Sequence, residues 1–274
     1  MKELLAELAS VIGQTNGADV SSFDEAFLLR AVDKRRTVVG EPTADAYLAR
    51  MRGEAPEAEA FFASLHIGYS EFFRNPLTFA VLEQVVLPRL CDAAEKPELR
   101  IWSAGCASGE EPYSVAVLLD ELGASRGREL RYRIFATDRC EAGLSAARLG
   151  VYGAAAVRNV RKRQLERYFT RVGDAYSISP RLRAQVDFSA YDLLDANTTC
   201  PPAAIYGGFD LVLCCNLLFY YRQDVRRFIV DKLHRGLGPG GFFVTGETER
   251  AMVEPLGGFR AVVPPAAVFR KAEG

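Results

Sequence analysis

The sequence predicts an α/β chain in which a small all-helical domain precedes a doubly wound, mostly parallel sheet. Three observations carry this. Apolar residues recur at helical spacing through residue 65, with no strand pattern among them. From Leu99 onward short apolar runs alternate with helical periods, the pattern of parallel strands joined by crossover helices. At the changeover a strand runs into a glycine-rich turn and directly on into a helix.

Taken in order, Leu4, Leu5, Leu8 and Ile12 mark the first helix. Ser22, three residues before Glu25, predicts a capping box that opens a second helix carrying Phe27, Leu28 and Val32. Thr43 and Asp45 open a third with Tyr47 and Leu48, and a fourth covers roughly 57–65. Strands are expected at 99–103, 132–137, 186–189, 209–215, 242–245 and 267–270. Helices are expected after the glycine turn (Tyr113 to Leu122), at 140–149 and at 224–236, and Gly238-Pro-Gly-Gly241 turns into the fifth strand. The domain reading is 1–66 all-helical, 67–78 a linker, and 79–274 the sheet domain.

Composition removes several function classes. The 274 residues are 49% apolar and 25% charged, an ordinary globular mix large enough to fold without staples. A net charge of -1, from 34 basic and 35 acidic residues, argues against a dedicated nucleic-acid binder. No apolar run approaches the about 18 residues of a membrane span, so no membrane insertion is expected. Glu3 and Glu7 inside the first amphipathic pattern do not suit a signal peptide. Of the six cysteines none forms a C-x-x-C pair, and there are two histidines. That predicts reduced thiols, no metal site and a cytoplasmic protein.

The glycine turn Ala104-Gly-Cys-Ala-Ser-Gly109 is followed at once by Glu110-Glu111-Pro112. A phosphate-binding turn uses the positive helix start to hold an anion. Two carboxylates there would repel a pyrophosphate and suit a phosphate-free ligand with a positive centre, such as S-adenosylmethionine. There is also no Gly-Lys-Ser/Thr of a nucleoside-triphosphate loop. Asp138, ending the second strand, suits the two hydroxyls of a ribose. Read singly, Glu110 and Glu111 also serve as helix-start charges and Asp138 as a turn or capping residue.

Trp102-Ser-Ala-Gly-Cys-Ala-Ser-Gly-Glu-Glu-Pro-Tyr-Ser114 resembles the signature of the chemotaxis receptor methyltransferase (CheR) family. Glu71-Phe-Phe-Arg-Asn-Pro76, Ala136-Thr-Asp138 and Gly238-Pro-Gly-Gly241 resemble its other landmarks in the same order. The resemblance implies a fold of the S-adenosylmethionine-dependent methyltransferase type with a short β-insertion. It implies methyl transfer from S-adenosylmethionine, leaving S-adenosylhomocysteine, to glutamate side chains on chemoreceptor cytoplasmic helices or a related signalling protein. Arg74 would contact the methionine carboxylate of the cofactor or shape the reaction site. Glu111 or Glu110 would hold its amino end, Asp138 the ribose, and Asp192 and Leu193 would flank the adenine. Gly105 is the glycine shared with methyltransferases in general. Cys215 and Asn216 would line the floor of the site and Tyr220 would face the reacting centre. The insertion's hairpin is expected from Tyr176-Ser-Ile-Ser179 and Arg183-Ala-Gln-Val-Asp-Phe188.

Two positions depart from the family pattern. Gly68-Tyr-Ser70 stands where Asn-x-Thr is usual, so Ser70 keeps the hydroxyl but the amide is gone. Cys214-Cys-Asn216 stands where Cys-Arg-Asn is usual, so a cation is gone from the cofactor floor. They motivate the alternatives: a divergent methyltransferase acting on another protein or a small molecule, or a non-catalytic receptor module that binds S-adenosylmethionine. Methyl transfer to a carboxylate needs no general base, since a glutamate with a pKa near about 4.3 is already ionised at neutral pH. Alignment and exclusion of water are what such a site must supply, with Arg74 and Tyr220 as orienting groups. The eight Arg/Lys of 151–185, and Arg30, Lys34, Arg35 and Arg36, read either as solvated faces or as docking patches for acidic receptor segments. A monomer is expected.

Overall fold

The structure is a computed structural model that describes residues 2–17, 19–65, 68–93, 98–204 and 207–272. It divides into two compact units: Met1–Ile67 with Phe219–Arg226, and Gly68–Leu218 with Arg227–Gly274.

The first unit is helical. Helix α1 (Lys2–Asn16) buries Leu8, Val11 and Ile12. Helix α2 (Glu25–Val39) opens at Asp24, whose carboxylate accepts from the Phe27 N–H at 3.1 Å. The expected Ser22 cap is therefore displaced. Asp24 stands immediately before the helix, and its charge meets the positive end of the helix dipole. Helix α3 (Ala44–Gly53) is capped by Thr43 as expected, and α4 (Ala55–Ser64) follows directly. Glu57 of α4 accepts from Nε and Nη2 of Arg35 and from the Tyr47 hydroxyl at 2.7 Å. Arg35 is thus an internal strut of this unit and drops out of the expected basic patch. The segment 219–226 joins here through Tyr221, which bridges Phe23 with stacked rings 5.4 Å apart.

The second unit holds strands β1 (Leu99–Ala104), β2 (Tyr132–Asp138), β3 (Val151–Gly153), β4 (Phe169–Val172), β5 (Ala175–Ile178), β6 (Val186–Ala190), β7 (Phe209–Cys214), β8 (Leu237–Thr245), β9 (Phe259–Ala261) and β10 (Val268–Lys271). The described residues form a seven-stranded sheet in the order β6-β2-β1-β7-β8-β10-β9. It is parallel from β6 to β8, and β10 and β9 close it antiparallel. Ile101, Ile134, Leu211 and Val244 share its core with Val115 and Leu119. From β1 the chain steps outward to β2 and β6, then crosses back to β7 on the other side. That reversal opens a crevice beyond the carboxyl ends of β1 and β7.

The helices of this unit are α5 (Pro76–Val81), α6 (Leu87–Ala93), α7 (Glu110–Ser125), α8 (Glu141–Leu149), α9 (Lys162–Tyr168), α10 (Pro180–Arg183) and α12 (Arg250–Val253); α11 (Gln223–Gly236) begins in the first unit. A π-helical turn, Leu82–Val86, joins α5 to α6. Phe72 is fully buried, its ring 4.9 Å from Tyr152 and 5.1 Å from Phe169.

The β-insertion is present, but its pairing differs from the expected one. Tyr176 and its neighbours, in β5, pair with β4 across the tight turn at Gly173-Asp174, and β3 flanks them. Val186-Asp-Phe188 lies instead in β6, parallel to β2, with Val186 opposite Ile134 and reaching the main core. Burial on the large sheet decides this pairing. The insertion's cations are largely matched within the unit: Arg158 with Glu71, Arg161 with Glu83, Arg163 with Glu121, and Arg167 and Arg181 with Asp120. That favours the reading of a solvated, internally compensated face over a free positive patch.

Candidate functional site

The site is built at the carboxyl edge of the parallel sheet. Gly105 and Cys106 both donate their N–H groups to the Thr137 carbonyl, at 2.8 and 2.9 Å, which folds the glycine turn over the end of β2. Gly109 closes the turn at φ +94° and caps α7. A Cβ there would lie 2.9 Å from the Ala147 Cβ, so only glycine permits the helix to start so close to α8. Asp138 is held on both oxygens, by the Ala107 N–H and the Cys140 N–H, each at 2.9 Å. A carboxylate offers about four acceptor positions, so capacity for two hydroxyls remains.

Beside Asp138, its carbonyl takes the Tyr191 N–H at 3.0 Å. Arg139 reaches Asp192 at 3.5 Å, and Asp192 accepts from the Leu194 N–H. The loop after β6, with the buried Leu193, is thereby tied to the end of β2.

The two acids of α7 have different surroundings. Glu110 is buried, and the Ser108 hydroxyl donates to its two oxygens at 2.9 and 2.8 Å. Ser70 also bonds to it, and burial raises its pKa. Glu111 accepts from the Ser103 hydroxyl at 2.6 Å and pairs with the Cys215 thiol. Burial pushes its carboxyl up to about 7; the nearby Glu249 adds to this, and Ser103, Cys215 and Arg74 oppose it. Burial also raises the Cys215 thiol well above its ordinary value, so it is a neutral donor here.

Arg74 lies in a turn between Phe73 (φ 51°) and Asn75 (φ 63°). Its guanidinium donates to the Tyr69 carbonyl at 2.9 Å and lies 5.3 Å from the Tyr69 ring centre. Asn216, after β7, accepts from the Asn75 side chain at 3.0 Å.

The second unit thus brings together Ser70, Arg74, Gly105, Glu110, Glu111, Asp138, Asp192, Leu193, Cys215 and Asn216 on the ends of β1, β2, β6 and β7 and the turns beside them. Tyr220 is not in that set. It belongs to the first unit, its ring 4.9 Å from Phe27. The sequence reading missed Ser103 and Glu249. Ser103 is an ordinary strand residue until its hydroxyl is seen on Glu111, and Glu249 reads as a helix-start charge.

The donor set fits a phosphate-free nucleoside cation. Carboxylates stand at the helix start where a phosphate would need bare N–H groups, and a fixed acid, Asp138, ends β2 beside the glycine turn with acceptor capacity that two ribose hydroxyls could use. Among the described residues, no helix is long and apolar enough to cross a membrane.

The family described as "CheR methyltransferase, SAM binding domain" matches residues 69–260, more than half of the chain. Among curated proteins, "Chemotaxis protein methyltransferase 1" of Pseudomonas aeruginosa is 38% identical over 182 residues, covering 65% of this chain and 64% of that protein. "Probable biofilm formation methyltransferase WspC" of the same organism is 31% identical, covering 93% of this chain and 59% of that one. A "Chemotaxis protein methyltransferase" of Listeria monocytogenes is 30% identical, covering 88% of each. The chain thus spans less than two thirds of the two Pseudomonas relatives. With the cleft geometry and the matched span in agreement, the chain belongs to the CheR methyltransferase family, and residues 69–260 are its S-adenosylmethionine-binding domain.

Proposed function

We propose that this chain transfers the methyl group of S-adenosylmethionine to glutamate side chains of a chemoreceptor or chemoreceptor-like signalling protein, forming glutamate methyl esters. The observation that carries the reading is the Gly105–Glu111 turn, with its paired acids, at the carboxyl edge of the parallel sheet inside the matched domain. The chemotaxis names of relatives supply the acceptor class.

In this reading Asp138 accepts the ribose hydroxyls, and Asp192 and Leu193 bound the adenine. Glu111 faces the amino group, Glu110 braces the turn through Ser108 and Ser70, and Gly105 lets the backbone approach. Cys215 and Asn216 form the floor. Arg74 takes the carboxylate end. An Arg set beside the acceptor instead would lower that group's nucleophilicity. The cofactor supplies an electrophilic methyl on a sulfonium, and the acceptor carboxylate arrives already ionised. The chain's part is to align the two and keep water out. Tyr220 as an orienting group rests on the resemblance alone, and Tyr220→Phe should then slow transfer. We further propose residues 1–66 as the helical domain, 67–78 as the segment carrying Phe-Phe-Arg, and 79–274 as the catalytic domain, in a monomer.

A second reading is favoured by Cys215, which stands where the family pattern resembled above has a cation. It keeps the chemistry and changes the acceptor to another protein or a small molecule. Labelled S-adenosylmethionine added to whole-cell protein with the purified chain separates the two. Base treatment should release the label from protein as methanol. Base-stable label in protein, or label only in small molecules, would overturn the glutamate reading.

A further inference from the structure

The turn that carries Arg74 is strained, and the structure shows what holds it. Phe73 and Asn75, on either side of Arg74, both have left-handed backbone, at φ 51° and 63°. Such conformations persist where the surroundings over-determine them. Phe73 gives its N–H to Ser114 Oγ at 3.0 Å, and beyond the turn Leu77 and Thr78 give theirs to Glu247. Between these clamps the Asn75 side chain donates to Asn216 Oδ1 at 3.0 Å.

Asn216 is left-handed as well, at φ 60°. Asparagine tolerates that conformation better than most residues, so a pair of them can face each other across a gap with one donating and one accepting. Asn216 is in turn fixed from below by Glu249. This carboxylate is fully buried and takes the Asn216 N–H at 2.7 Å, the Gly246 N–H and Thr245 hydroxyl at 2.8 Å, and the Leu218 N–H at 2.6 Å. The Gly246 backbone passes so close that a Cβ there would lie 2.7 Å from the Asn216 side chain. The floor of the cleft and the Arg74 turn are therefore one hydrogen-bonded piece, although they come from segments 141 residues apart.

We propose that Asn75 is a positioning residue: through Asn216, anchored on Glu249, it sets the Arg74 turn against the floor of the cofactor cleft. This rests on the reading of Arg74 as a cofactor contact. A misplacement of about 1 Å in such a site can cost on the order of a hundredfold in rate, so a single side-chain link can matter.

Calorimetric affinity for S-adenosylhomocysteine tests this in four proteins: wild type, Asn75→Gly, Arg74→Ala and the double variant. Glycine accepts the left-handed backbone without strain and removes the link. Arg74→Ala should weaken binding about 10- to 100-fold and Asn75→Gly about 5- to 30-fold, while the double variant should match Arg74→Ala within about twofold, because the two act through one contact. Multiplying losses in the double variant overturn the proposal and leave Arg74 in the site. Unchanged affinity in Asn75→Gly, with only a lower melting temperature, also overturns it and makes the link purely structural. No loss in a folded Arg74→Ala removes Arg74 from the cofactor site, and the proposal falls with that reading.

Discussion

Burial and hydrogen bonding pull Glu111 in opposite directions, and burial prevails. Burial pushes its carboxyl up to about 7 in the folded protein, against 4.5 as its ordinary value. Across that window the folded chain holds a proton that the unfolded chain has lost. The stabilisation is complete below about 4.5 and is lost as pH rises through about 7. Melting temperatures of wild type minus Glu111→Gln should show this falling slope in the absence of ligand. A cationic amino group beside Glu111 favours the ionised form, so S-adenosylhomocysteine affinity should fall below about pH 7 and binding should release protons. Calorimetry in buffers of different ionisation enthalpy reads that release directly. Asp138 makes the second prediction at this scale. Asp138→Ala should weaken cofactor binding by about 2–4 kcal/mol: two hydrogen bonds to a charged acceptor at about 1.5–3 kcal/mol each, partly compensated by water. Because Asp138 also holds the Ala107 and Cys140 N–H groups, thermal unfolding of ligand-free Asp138→Ala separates loss of the turn from loss of the ribose contact. The place of Asp138 beside the glycine turn was legible because an acid ends a strand next to that turn. Glu249 was not, because its partners are backbone N–H groups that only the folded chain assembles.

At the scale of elements, local patterns foretold which segments are helices and strands and failed where two local solutions compete. Ser22 has the right spacing for a capping box, yet Asp24 caps α2 because it stands directly before the helix, where its charge meets the helix dipole. Segment 183–188 could have closed a hairpin, but Val186 gains more by joining the large sheet. Helix α5 starts inside the stretch the sequence marks as a linker, because Pro76 looks like punctuation when it is in fact the first helical residue. Charge runs were read by count, and count conceals pairing. Arg35, one of four cations proposed for a docking face, is bound to the buried Glu57. Arg35→Glu should therefore cost about 3 kcal/mol or more of stability. Its exposed neighbour Lys34 can be reversed for about 0.5 kcal/mol or less. Chemical denaturation of the two variants checks the contrast. A receptor-binding defect read from Arg35→Glu would report unfolding.

For the whole molecule, the alternation of strands and helices predicts the parallel sheet, and the order β6, β2, β1, β7, β8 found in the structure places the glycine turn and Asp138 side by side. The grouping of segment 219–226 with the N-terminal helices was not legible, since it depends on contacts between residues nearly 200 positions apart, as Phe23 and Tyr221 are. The central claim is that the carboxyl edge of the sheet holds a phosphate-free nucleoside cation. Thermal unfolding of the intact chain with different ligands tests it most directly. At about 100 times its dissociation constant, S-adenosylhomocysteine should stabilise the protein by about 2.7 kcal/mol. S-adenosylmethionine should do likewise, and NAD, ATP and GTP should leave the melting temperature where it is. Stabilisation by NAD without stabilisation by S-adenosylhomocysteine would contradict the account.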